Sequence, residues 1–186
     1  TGSTFADITM NDTGSYNGGA IHASGSASLT ITDTLFKDIY IPQANAGTAT
    51  NTTDKNHTGG GAALYMTGTS KATISRSTFS GNTTRNGACI YVLTDATLTI
   101  TDSSFTNNIP TNAGAGNIRN GGTLTVSNIS ISNESTTMAI LNEKTLNIKG
   151  LITLTNNYIS TSANGTTYID TDSFFVDGDL TKIHKV

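Results

Sequence analysis

Leu98-Thr99-Ile100-Thr101 is one of five copies of a short alternating motif, and its recurrence decides the fold. The others are Leu29-Thr30-Ile31-Thr32, Ala72-Thr73-Ile74-Ser75, Leu124-Thr125-Val126-Ser127 and Leu146-Asn147-Ile148-Lys149. Steps between the second apolar residues are 43, 26, 26 and 22. A period in the twenties marks a stacked repeat. Alternation of apolar and hydroxyl residues within each copy marks a half-buried strand. Each copy must therefore stack on its neighbours to cover its apolar side.

The flanks repeat as well. Upstream lie small residues and an aliphatic: Gly18-Gly19-Ala20-Ile21, Gly60-Gly61-Ala62-Ala63-Leu64, Gly87-Ala88-Cys89-Ile90 and a weaker Gly114-Ala115-Gly116-Asn117-Ile118. Downstream lies an anchor with a turn residue two places on: Phe5 with Asp7, Phe36 with Asp38, Phe79 with Gly81, Phe105 with Asn107, Ile131 with Asn133 and Leu154 with Asn156. Asp, Asn and Gly accept the positive φ of tight turns. One rung therefore reads as strand, strand, strand and turn, with about six rungs in a single domain over 1–186. Two internal ladders are expected, one of Ile31, Ile74, Ile100, Val126 and Ile148, the other of Phe36, Phe79, Phe105, Ile131 and Leu154. At ordinary strand spacing such a stack is roughly 30 Å tall.

The step of 43 exceeds 26 by 17 residues. The excess falls at about 42–58, a run rich in Ala, Asn and Thr without apolar alternation. It reads as an insertion loop, and such insertions often form the binding face of a solenoid. Asn45, Asn51, Lys55, Asn56 and His57 are its candidate contact residues. Residues from about 166 to 186 keep apolar pairs, Tyr168-Ile169 and Phe174-Phe175, but lose the turn signals; they read as a last rung, a cap or a linker.

Thr, Ser, Asn and Gly together make up 92 of 186 residues, whereas charged residues are 12%. Ordinary domains carry about 25% charged residues. A hydroxyl- and amide-rich exterior suits an extended extracellular β-protein. Net charge is -3 with no basic stripe, which argues against nucleic acid as a partner. No apolar run approaches membrane-spanning length. The single cysteine, Cys89, has no disulfide partner within the chain and reads as a small buried residue. Asn-x-Ser/Thr sequons stand at Asn11, Asn51, Asn56, Asn82, Asn128, Asn133 and Asn164, with Asn51 and Asn56 in the long loop the preferred acceptors.

Gly18 to Ile21 and Gly60 to Leu64, combined with the Phe-x-x-Asn turns Phe79 to Asn82 and Phe105 to Asn108, carry a family likeness. This pattern resembles the polymorphic outer membrane protein repeats of chlamydial autotransporter adhesins. It is also similar to the long adhesin-like surface proteins of methanogenic archaea. The likeness spans most of residues 1–165; the Gly-Gly-Ala signature fades after about Asn112. What it implies is a right-handed, single-stranded parallel β-helix, and a cell-surface passenger or stalk that adheres to host or microbial surfaces. No residue-level binding site carries over.

Three functions are open to these residues. A cell-surface adhesin or stalk, binding a surface protein or glycan through a solenoid face and the 42–58 loop, fits the fold and the uncharged exterior. It calls for no cofactor, metal or catalytic residue. A polysaccharide-active enzyme needs paired acid and base groups. Asp33 and Asp102 share a turn position with Arg76 and Asn128, and Asp7 and Asp38 share another, so each reads as a turn residue. Ice binding would use the outward rows Thr30, Thr73, Thr99, Thr125 and Thr32, Ser75, Thr101, Ser127, although Asn147 and Lys149 break their regularity. Asp170, Asp172, Asp177 and Asp179 form a weak calcium candidate without EF-hand spacing. His22, His57 and His184 are too dispersed for a zinc site and are expected to face solvent. The open ends of such a stack invite end-to-end self-association.

Overall fold

The computed structural model describes residues 1–10, 18–41, 60–84, 87–111, 115–175 and 183–185. Among these residues there is no helix, hence none long and apolar enough to cross a membrane. Every strand pairing is parallel, and a 16-stranded sheet takes in nearly all of the strands. Parallel pairing at the repeat spacing is what the alternating motifs require, because each apolar face is covered by the segment one repeat away.

Three ladders run through this sheet. The first joins Ile31 to Ile74, Ile100, Val126 and Ile148 in register. The second joins Phe5 to Phe36, Phe79, Phe105, Ile131 and Leu154. Both match the order expected from the motifs. The third joins Ile21 to Leu64, Ile90, Ile118, Ile140 and Ile159. From Phe36 to Phe105 the anchors are fully buried. Their rings stack nearly parallel at 4.9 Å (Phe36–Phe79) and 4.5 Å (Phe79–Phe105). Strand spacing of about 4.8 Å sets that separation, since equivalent rings on adjacent in-register strands can only lie one strand apart.

Corners are made by columns of left-handed residues. Between the first and second ladders these are Asp33, Arg76, Asp102, Asn128 and Gly150, with φ from 45° to 61°. After the second ladder they are Asp7, Asp38, Gly81, Asn107 and Asn156. Entering the third ladder they are Gly18, Gly61 and Gly87; a Cβ at Gly61 would overlap the Leu64 carbonyl oxygen. That overlap explains why the small-residue segment opens with glycine where the other corners admit Asp and Asn.

One expected turn residue plays another part. Asn133 stands two places after Ile131 but is absent from the left-handed column and is 5% exposed. The pairing shifts register between Ser132 and Thr137, which draws Asn133 inward. There it joins a buried asparagine ladder: Asn82 N–H donates to Asn108 Oδ1 (3.0 Å), Asn108 N–H to Asn133 Oδ1 (3.1 Å), and Asn133 Nδ2 to Asn157 Oδ1 (2.9 Å). A shorter hydroxyl ladder serves the first corner, with Thr34 N–H donating to Ser77 Oγ and Ser77 N–H to Ser103 Oγ. These side chains take up backbone groups that the turns free from the strand ladders, groups that would otherwise be buried without partners.

Candidate interaction faces

The outward side of the first ladder is a regular polar face. Period-two alternation sends Leu98 and Ile100 inward, both fully buried, and leaves Thr97, Thr99 and Thr101 on the other side. In-register pairing lines these up into three columns. Thr30, Thr73, Thr99, Thr125 and Asn147 form the middle one, and Thr32, Ser75, Thr101, Ser127 and Lys149 flank it. The third column, Ser28, Lys71, Thr97, Thr123 and Thr145, went unread in the sequence, although it continues the same alternation two residues upstream. Weak contacts tie neighbours along a column, Ser75 Oγ to Thr32 Oγ1 and Asn147 Nδ2 to Thr125 Oγ1, each at 3.4 Å. The middle column continues to Tyr168, which is exposed along with Ile169.

The aspartates that an acid/base reading would use occupy the corners. Asp33 accepts both Nε and Nη2 of Arg76, at 2.7 and 2.8 Å. The Arg76 hydrogen bonds hold the Asp33 carboxyl below its ordinary range. Arg76 itself sits in the left-handed region, an unfavourable place for a long side chain. Asp102 accepts from Asn128 Nδ2 at 3.1 Å, and Asp38 pairs with Lys37 at 3.2 Å. The positive φ of Asp7, Asp33, Asp38 and Asp102 agrees with their reading as turn residues.

An aromatic and charged column escaped the sequence reading. His22, Tyr65, Tyr91 and Arg119 are in register on the third ladder. His22 is exposed and meets the Tyr65 ring edge-on, with centroids at 5.2 Å. Tyr65 meets Tyr91 the same way at 5.6 Å, and the Arg119 guanidinium lies 4.9 Å from the Tyr91 centroid. Both tyrosines are buried, which raises their pKa. Burial works against the Arg119 charge, but bidentate hydrogen bonds to Glu143 at 2.9 Å outweigh it. The signal in the sequence was Tyr65 and Tyr91, each one place after the ladder aliphatic.

Cys89 is fully buried, and burial drives its thiol pKa well up against the opposing hydrogen bond with Asn82. The 42–58 segment, with Asn45, Asn51, Lys55, Asn56 and His57, lies outside the described residues, as do Asp177 and Asp179. Asp170 and Asp172 are exposed in a turn where Ser173 N–H donates to the Asp170 carbonyl. No group of three or more metal-ligating side chains occurs among the described residues. Two sequon asparagines, Asn82 and Asn133, are buried in the asparagine ladder, whereas Asn128 and Asn164 are exposed. Comparison with protein-family models, with curated proteins and with solved structures found no match to this chain.

Proposed function

We propose that this chain is a right-handed, single-stranded parallel β-helix of about six rungs, three faces to each, serving as a non-catalytic adhesive or stalk module at a cell surface. The observation that carries this reading is the three-column polar face of the first ladder. It is long, in register and made chiefly of Thr and Ser. Such a face offers many weak hydrogen-bonding groups over a broad area and few charges, which suits contact with a surface protein or glycan. Repetition of weak contacts along the stack gives affinity without requiring a deep pocket.

A glycan-array and cell-binding assay on the purified chain, beside a variant lacking residues 43–57, tests this function. Binding lost with the deletion assigns adhesion to the insertion, and binding retained assigns it to a rung face. Absence of binding by both forms removes the adhesive role and leaves a passive stalk.

The same columns favour one other reading, an ice-binding face, because their regular two-dimensional hydroxyl array is what a crystal lattice plane would match. Lys71 and Lys149 interrupt it. Thermal hysteresis that disappears in Thr99→Lys would establish this reading over adhesion, and its absence in the intact chain would dismiss it.

A further inference from the structure

A groove runs along the corner between the first and second ladders. It is an open cleft of about 520 Å³, a size within the range of about 300–1,000 Å³ usual for small-molecule sites. One wall carries the turn residues Asp102 and Asn128, and the floor carries Ser104, Ser130 and Thr153, one behind another in register. Leu151 lines it from the same strand as Thr153.

Leu151 is there because of a register shift. Ser127 pairs with Lys149 and Ile129 with Ile152, so Gly150 and Leu151 together oppose the single residue Asn128. Such a bulge re-aims a side chain out of the strand pattern. Leu151 is accordingly 45% exposed, while the adjacent Ile152 is buried. Its backbone N–H is satisfied by Asn128 Oδ1 at 3.0 Å. An exposed leucine on the strand that carries Thr153 gives the groove an apolar patch beside a row of hydroxyls.

The chemistry of that lining selects a ligand. An extended peptide would need an open strand edge, but Ser104 and Ser130 N–H already donate to Ser77 and Ser103 carbonyls within the stack. An anionic ligand would need an uncommitted cation, but the Arg76 guanidinium is held bidentate by Asp33 and faces a second carboxylate in Asp102. A neutral sugar has what remains: hydroxyl edges for serines, a carboxylate and an amide, and a C–H face for leucine. Asp102 has one oxygen engaged by Asn128 and one with no partner among the described residues, which leaves it an acceptor for a sugar hydroxyl.

We propose that this corner groove binds a neutral oligosaccharide lying along the stacking direction. Asp102 and Asn128 bond its hydroxyls, and Leu151 packs on a C–H face. The groove shares no residue with the 42–58 segment or with the threonine columns, so sugar binding here stands apart from adhesion through either.

The test is a titration of the whole chain with neutral tetrasaccharides (cellotetraose and mannotetraose) and, separately, with tetragalacturonate, followed by backbone amide NMR. The expected result is saturable shifts with a neutral sugar at Ser104, Ser130 and Leu151, and none of comparable size with tetragalacturonate. Asp102→Asn keeps a residue that tolerates the left-handed turn, as Asn128 does, and should weaken binding about tenfold. Leu151→Ser, at an exposed site, should weaken it by a similar factor while leaving the melting temperature unchanged. No saturable shift with either neutral sugar up to about 10 mM, shifts on another face, a preference for tetragalacturonate, or unchanged affinity in both variants would overturn the assignment. Loss of tetrasaccharide binding in these variants with cell binding intact separates the groove from the adhesive role.

Discussion

Asn82 and Asn108 are joined twice inside the stack: the Asn82 backbone N–H and its Nδ2 both donate to Asn108 Oδ1, at 3.0 and 2.8 Å. Asn108 Nδ2 in turn donates to the Phe79 carbonyl at 3.0 Å. Both side chains are fully buried. A single amide thus serves two backbone groups of the segment one repeat before it, which no apolar residue of that size can do.

Asn108→Ala should therefore destabilise the protein by about 3 kcal/mol, since it orphans a buried N–H and a buried carbonyl. The adjacent Asn107→Ala loses only an exposed 3.3 Å contact to Glu134 and the left-handed tolerance of Asn, costing about 1 kcal/mol. Urea denaturation of the two variants checks the ordering; equal losses would show that the asparagine ladder contributes nothing special.

The aromatic stack predicts a graded response. Phe79 lies between Phe36 and Phe105, so Phe79→Ala opens a cavity with faces on both neighbours and should cost about 4 kcal/mol. Phe79→Leu refills much of that space and should cost less than half as much. Ile100→Asp places an unpaired charge in the fully buried first ladder and should abolish folding. Circular dichroism melts decide this; a cooperative transition for Ile100→Asp at the parent temperature contradicts its core position.

Two glycines of nearly equal φ should behave differently. Gly25 (φ 63°) has open space where a Cβ would go, so Gly25→Ala carries only the left-handed penalty of about 1 kcal/mol. Gly61 (φ 62°) has the Leu64 carbonyl there, so Gly61→Ala must also displace backbone. Its loss should be at least twice that of Gly25→Ala, read as the difference in melting temperature.

Stability should fall on the alkaline side. Cys89, Tyr65 and Tyr91 each have a pKa raised in the folded state, chiefly by burial. The unfolded chain releases these protons first, so above the unfolded values the native state holds more protons and stability declines with rising pH. The decline should begin near the ordinary thiol value of 9.0 and steepen past the phenol value of 10.0. Cys89→Ala should remove the earlier part of that decline. A melting temperature flat from neutral pH to beyond the phenol range would mean these groups ionise freely in the fold.

The alternation of Leu98-Thr99-Ile100-Thr101 and its copies was enough by itself to give β-strands, parallel stacking and the order of two ladders. Spacing and period-two burial are local properties, and each copy states them independently. The left-handed corners at Asp7, Asp33, Asp38 and Asp102 were legible for the same reason, since Asp is among the few residues that accept that conformation. What only the tertiary structure decided depends on which strand lies beside which. Asn107 and Asn108 are adjacent and identical in type, yet one makes a turn and the other bridges neighbouring repeats inside the core. Asn133 has the sequence position of the former and serves as the latter because a register shift draws it inward. The groove at Asp102, Asn128 and Leu151 was equally hidden. It needs side chains from successive parallel strands and a one-residue bulge, and a bulge is a mismatch between two segments that neither segment carries alone.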